Sequence, residues 1–305
     1  MRNPSDLYSF GPDANLAGPH SGVLLVMLGS FIDAGQLQQI LSDHLIGTEI
    51  SEVVATFDVD QVYDYRGRRP MMVFDTNKWQ QYEAPSIVLR QLTDRDGQNY
   101  FLLTGPEPDY QWERVVESIR ELIDTLGIDL VVTVHGIPMG VPHTRPVGMT
   151  AHATSPNLIR GIESPFGRVQ VPASLSALME VRLGDAGHDA AGFAIHVPHY
   201  LAASEYPQGA LSALNAIVDL TGLNLPNDDL IARAEVSRRA IISEMEGNEE
   251  VQDIVAALEQ QYDAFMRGQD QPTLWAPDST EIPSADQLGA EFENFLRNIS
   301  DDDTD

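Results

Sequence analysis

The chain has 305 residues, 43% of them apolar and 21% charged, a make-up that buries a real core and rules out disorder along most of its length. Lys and Arg number 18 against 46 Asp and Glu, a formal charge of −28, which repels phosphate backbones and anionic lipid and leaves neither nucleic acid nor a membrane as an expected partner. There is no cysteine, so disulfides, thiolate zinc sites, iron–sulfur clusters and Cys nucleophiles are excluded together.

Residues 1–20, with Pro4, Gly11, Pro12, Gly18 and Pro19, read as an irregular leader without the order of a secretory signal. Val23–Leu28 is the longest purely apolar run, far below the ~20 residues that span a bilayer, and a cytoplasmic location is expected. The same run reads as a buried strand ending at Gly29, with Asp33 placed to cap a helix through Ile46. Ser51–Asp58 reads as a second strand. Pro85–Thr93 and Asn99–Thr104 read as a hairpin whose turn, Asp94-Arg-Asp-Gly97, uses Gly for a positive φ.

Trp112, Val115, Val116, Ile119, Leu122, Ile123 and Leu126 step by three or four residues until Gly127 stops the pattern, the strongest helix signal in the chain. Ile128–Val134 is then a buried strand running into a loop dense in Gly, Pro and His. Ala190–Val197 is another strand, and a helix from about Tyr206 to Leu220 closes an α/β domain over 21–225. Beyond Pro226 the composition changes: 20 acidic residues face 5 basic ones, a net of −15. Helices are expected over Asp228–Met245, Glu250–Arg267 and Ser284–Ile299, a helical extension over 226–299, with 300–305 a solvated acidic tail.

Chemistry-bearing residues concentrate in His135-Gly-Ile-Pro-Met-Gly-Val-Pro-His-Thr-Arg-Pro146 and in His196-Val-Pro-His199. Imidazoles, a guanidinium and flexible glycines are the materials of a small anion site, although tight loops use the same residues to satisfy backbone carbonyls. Pro198 bars a regular helix, so the two histidines around it do not share a helical face as metal ligands do in His-Glu-x-x-His proteins. The charges Asp58, Asp60, Asp64, Arg66, Arg68 and Arg69 around Tyr63 and Tyr65 read as a loop whose charges pair with one another in solvent. No Gly-x-Ser-x-Gly elbow, Walker loop or Gly-x-Gly-x-x-Gly turn is present. Neither a catalytic residue, a metal nor a cofactor is expected.

Taken together, Phe31-Ile-Asp-Ala-Gly35, Tyr65-Arg-Gly-Arg-Arg-Pro70, Leu103-Thr-Gly-Pro-Glu-Pro-Asp109, the loop from His135 to Pro146, and Val197-Pro-His-Tyr-Leu201 with Tyr206-Pro207 resemble the proteasome assembly chaperone family, in its actinobacterial branch. The likeness covers roughly residues 20 to 225. It implies a three-layer α/β/α domain with a mixed sheet, related in architecture to phosphorylase and peptidyl-hydrolase folds. It also implies a homo-oligomer such as a trimer, and proteasome subunits as partners. Relatives that dock by a carboxy-terminal hydrophobic–Tyr–any signature differ from this chain, whose last residues are Asp303-Thr304-Asp305.

The leading expectation is therefore a non-catalytic, assembly-chaperone-like binding protein. The alternative is an enzyme or small-ligand sensor with a crevice built from Asp33, His135, Arg145, His199 and Glu205, since these polar groups follow strands or precede helices, where α/β folds bind ligands. A third reading is self-association through the carboxy-terminal helices alone.

Overall fold

Strand β2 (Val23–Met27) is buried at every position because both of its faces are covered, and the two faces seed two separate cores. Val23, Leu25 and Met27 belong to one apolar cluster, Leu24, Val26 and Leu28 to the other, as the two-residue period of a strand requires. The computed structural model describes residues 2–12, 22–48, 51–160, 167–245 and 249–267; the expected helix Ser284–Ile299 and the acidic tail lie outside them.

In chain order the described elements are β1 (Tyr8–Phe10), β2, α1 (Leu37–Thr48), β3 (Ser51–Phe57), the short pair β4 (Val73–Asp75) and β5 (Lys78–Gln80), and the hairpin β6 (Val88–Thr93) and β7 (Asn99–Thr104). There follow α2 (Trp112–Leu126), β8 (Leu130–Met139), β9 (Met149–Ala153), α3 (Leu175–Ala186), β10 (Asp189–Pro198), α4 (Pro207–Thr221), α5 (Asp228–Met245) and α6 (Glu249–Met266). Eight strands make one mixed sheet in the order β1-β3-β6-β7-β2-β8-β10-β9. Its centre, β7-β2-β8-β10, is parallel, and the pairs toward both edges are antiparallel. Helices α1 and α4 cover one face, α2 and α3 the other, giving the three-layer α/β/α fold. The α5 helix packs on α4. None of the described helices is long and apolar enough to cross a membrane.

The hairpin forms in the expected register, with Thr93 opposite Asn99 and Gly97 at φ 81°. Helix α2 buries its apolar stripe, and Gly127, at φ 64°, closes it by donating its N–H to the Ile123 carbonyl. Three local expectations change. The leader is not irregular throughout: Pro4–Leu7 is a 3-10 turn and Tyr8–Phe10 adds an edge strand to β3. The cause is long-range. Arg114, buried on α2, donates from Nε and Nη2 to the Asn3 carbonyl at 3.0 and 2.8 Å, Ser118 donates to the Pro4 carbonyl at 2.8 Å, and Leu7 is fully buried. Next, the strand after α2 does not stop at Val134 but runs through Pro138 to Met139, because β10 pairs with it along its whole length. Finally, Met149–Ala153, downstream of the Gly-Pro-His loop where no element is expected, is the edge strand β9.

Removing the guanidinium with Arg114→Ala leaves the Asn3 carbonyl without its charged donor. A loss of about 2 kcal/mol in denaturant unfolding is expected, with faster amide exchange at residues 7–10 and unchanged exchange in β8.

Candidate functional site

The carboxyl ends of the parallel strands β7, β2, β8 and β10 are where an open α/β sheet offers a crevice. Here their loops are knitted to one another. Asp33, after β2, accepts the Gly136 N–H of β8 on Oδ1 and the Gln38 N–H of α1 on Oδ2, both at 3.0 Å. The expected capping role is thus met through Gln38, with a 3-10 turn, Ala34–Gln36, inserted before the α-helix. Burial pushes the Asp33 carboxyl up from its ordinary range while the N–H donors of Gly136, Gln38 and Leu37 pull it back. Gly35, at φ 76°, donates to the Ala202 carbonyl at 2.8 Å and accepts from the Tyr206 N–H at 2.9 Å, tying in the loop after β10. Gly136 has to be glycine: a Cβ there would lie 1.9 Å from the Ala34 carbonyl oxygen.

Glu107 performs the matching task on the other side. It accepts the Leu175 N–H at the start of α3 at 2.7 Å and the Phe31 N–H, and burial raises its carboxyl. Its neighbour Asp109 holds the basic loop after β3. The Asp109 Oδ2 accepts from the Asp64 N–H and from Arg68 Nη2, which also reaches the Glu107 carbonyl, and the Arg68 guanidinium lies 4.6 Å over the Tyr63 ring. The Tyr65–Pro70 and Leu103–Asp109 stretches are therefore one interlocked unit. The expectation that Arg68 pairs with the aspartates of its own loop is corrected: its ion pair is with Asp109.

The polar residues singled out in the sequence go to different neighbours. His135 stands in β8, its imidazole held down to about 4 by burial and by nearby His152. His199 follows β10 and is lowered by burial, opposed by its hydrogen bond with the Met139 backbone. Arg145 is gripped by α6: its Nε and Nη2 meet the two Asp263 carboxylate oxygens at 2.8 Å each, its Nη1 meets Glu259 at 3.1 Å, and Thr144 donates to the same Glu259. Beneath this fork Met139 and Val141 pack against Tyr262 and Phe265. The adjacent His143 shares the Tyr200 hydroxyl through its N–H and its Nδ1, each at 2.9 Å. Glu205 pairs with Arg233 of α5 at 3.2 Å. Asp33 and His135 thus adjoin through Gly136, and His199 reaches the same strand at Met139, whereas Arg145 and Glu205 are turned to α6 and α5.

Between β2 and β8 a cavity of about 10 Å³ remains, lined by Gln38, Thr133, Ser176 and apolar neighbours. That is room for about one water, and the Gln38 Oε1, buried there, has no hydrogen-bond partner. Among the described residues no three His, Asp or Glu side chains converge as metal ligands do. The residues that sequence reasoning missed are Glu107, Glu259 and Asp263. The last two stand one helical turn apart, the spacing by which a single helix face offers two carboxylates to one guanidinium.

Compared with known proteins, the chain is matched over residues 27–245 by the model of the PAC2 family. A Mycobacterium tuberculosis protein of unknown function, Rv2714, superposes with a TM-score of 0.83 at 37% identity, over 86% of this chain and 90% of that one. A Corynebacterium glutamicum protein of unknown function superposes at 0.81 with 34% identity, over 86% and 98%. Rv2125 of M. tuberculosis, described as a proteasome-assembly chaperone homologue, superposes at 0.69 with 24% identity, over 76% and 99%, a likeness of fold. No curated protein matches the chain.

Two measurements probe this region. With Arg145→Glu the fork to Asp263 and Glu259 becomes a repulsion, and residues 249–267 are expected to exchange amide hydrogens faster and to be cut sooner by protease, while β8 stays protected. The second uses pH. Burial holds His196 down to about 4, so between about pH 6.5 and 4 the unfolded chain binds a proton that the folded chain refuses. The stability linked to this neutral imidazole is complete above pH 6.5 and is lost as pH falls toward 4. In His196→Gln the drop in unfolding free energy between pH 7 and pH 5 is expected to shrink by roughly 2 kcal/mol relative to wild type.

Proposed function

The chain belongs to the PAC2 family, and from that premise we propose that it is a non-catalytic binding protein of the assembly-chaperone kind, acting as a homo-oligomer beside the proteasome in the cytoplasm. The observation that carries this reading is the state of the crevice. Its loops spend their polar groups on one another: Asp33 on Gly136 and Gln38, Glu107 on Leu175 and Phe31, Arg145 on α6. The cavity left between β2 and β8 holds about one water, and a larger cleft of about 470 Å³, on the size scale of a small-molecule site, is lined instead by His44 of α1, Thr93 to Arg95 at the hairpin turn and Asp228 of α5. In this reading Asp33, His135 and His199 are positioning residues that fix the shape of a recognition surface, and the occupant of that surface is a protein.

Support for the proteasome link comes from the family and from the fold shared with Rv2125. The matched span runs from the last residue of β2 through α5, so β3 to β10, the covering helices and the first helix of the extension lie within it, while β1 and most of β2 precede it. The α6 helix lies beyond the match and sits on the Gly-Pro-His loop through Tyr262, Phe265 and the Arg145 fork.

Co-expression of the full chain with proteasome α-subunits from the same source tests the proposal. The chain is expected to co-purify with α-subunits and to change the rate at which the particle assembles in a native-gel time course, and its deletion to lower proteasome yield. Absence of both co-purification and any change in assembly rate overturns it.

A further inference from the structure

At the end of the sheet opposite the knitted loops, a cleft of about 470 Å³ opens between the last turn of α1, the residues Thr93 to Arg95 at the hairpin turn, and the first turn of α5. Small-molecule sites occupy roughly 300–1,000 Å³. The walls are fixed from behind. Asp94, buried, accepts the Asp96 and Gln98 N–H groups on Oδ1 at 3.0 and 2.8 Å and the Asn224 N–H on Oδ2 at 2.8 Å, which ties the turn to the segment leading into α5. His44, on the cleft wall and only 6% exposed, donates from Nε2 to the Pro226 carbonyl at 2.7 Å. Because a carbonyl only accepts, Nδ1 of the neutral ring is an acceptor, and it has no partner among the described residues.

The unmet charge in the cleft is negative. Asp94, Asp228 and Asp229 stand against Arg95 alone, a net of −2. Arg95 is spent on Asp228 at 2.7 Å, and the exposed Asp229 carboxylate has no partner among the described residues. The two helix ends add to this imbalance. The amino end of α5, a positive pole, is met by Asp228 and Asp229 in its own first turn, whereas the carboxyl end of α1, a negative pole, has no basic residue in its last turn. The groups left over on the wall, the Asp229 carboxylate and the His44 Nδ1, both accept hydrogen bonds, and an ammonium group has three donors and no acceptor. The volume is far more than the tip of one lysine side chain fills, so the occupant is a whole molecule. We propose that this cleft is a binding site for a small organic amine of a few carbons, its ammonium held by Asp229 and His44 at the carboxyl end of α1. The site stands apart from the recognition surface proposed above, and neither depends on the other.

The test is thermal unfolding and calorimetric titration of the full chain at low salt, with 1,4-diaminobutane as the probe, 1,4-butanediol as its uncharged counterpart and tetralysine as a peptide-borne ammonium. The diamine is expected to bind one per chain and to raise the melting temperature, and the diol to do neither. Asp229→Asn is expected to weaken diamine binding at least fivefold. Asp185→Asn, on α3 across the sheet, is expected to leave it within twofold; equal losses from the two variants show a general attraction of cations to a chain of −28 and overturn the site. Thr48→Lys puts an ammonium into the cleft on the chain itself, and it is expected to raise the melting temperature of the free protein and to abolish the response to the diamine. Thr48 and Asp229 are both exposed, so these variants keep the fold, which an unchanged circular dichroism spectrum verifies. Absence of diamine binding to wild type, or binding of tetralysine alone, overturns the proposal.

Discussion

Two half-buried carboxylates, Asp33 and Glu107, hold the loops at the carboxyl ends of the parallel strands in place. Asp33 and Glu107 each accept backbone N–H groups from two separate elements, and between them they tie the loops after β2 and β7 to strand β8 and to the starts of α1 and α3. Such bonds are charge-assisted and stronger than those between neutral groups. Desolvation nonetheless raises both carboxyls, so burying them costs more than the donors return. At the same place Gly136 approaches Ala34 so closely that a Cβ would meet its carbonyl oxygen.

The polarity of the molecule's surface is divided. The body and the helical extension carry the negative charge. The helix α6 is nonetheless bound to the body, because Asp263 and Glu259 meet the fork of Arg145 while Tyr262 and Phe265 cover Met139 and Val141. This contact combines a bidentate ion pair with a small apolar patch, so it is specific in geometry while remaining peripheral to the two main cores. The opposite character belongs to residues 62–84, where arginines and aromatic side chains are exposed together. An acidic helical layer and a near-neutral stretch with exposed aromatic side chains thus stand on one chain.

The Tyr65–Pro70 and Leu103–Asp109 stretches, far apart in the chain, meet in space. Arg68, Asp109, Tyr63 and the Asp64 N–H form one cluster, and its product is the fixed position of Glu107 against α3. These contacts fix the backbone on both sides of Glu107.

Much of the fold is legible in the residues by themselves because it is decided locally. The two-residue alternation through β2, the three-and-four stepping of α2 with its glycine stop, and the Asp-Gly turn of the β6–β7 hairpin each specify their element within a dozen residues. The family likeness is legible in the same way, as short stretches of chain. What the sequence left open depends on partners far along the chain: β1 forms because Arg114 and Ser118 hold residues 3 and 4, and β8 continues through Pro138 because β10 pairs with it to the end. The fate of the candidate site was likewise decided only in three dimensions. Asp33, His135, Arg145, His199 and Glu205 are spread over some 170 residues, and whether a carboxylate or guanidinium faces a ligand or a neighbouring loop depends on which atoms the packed chain brings within about 3 Å, a distance that spacing along the sequence does not encode.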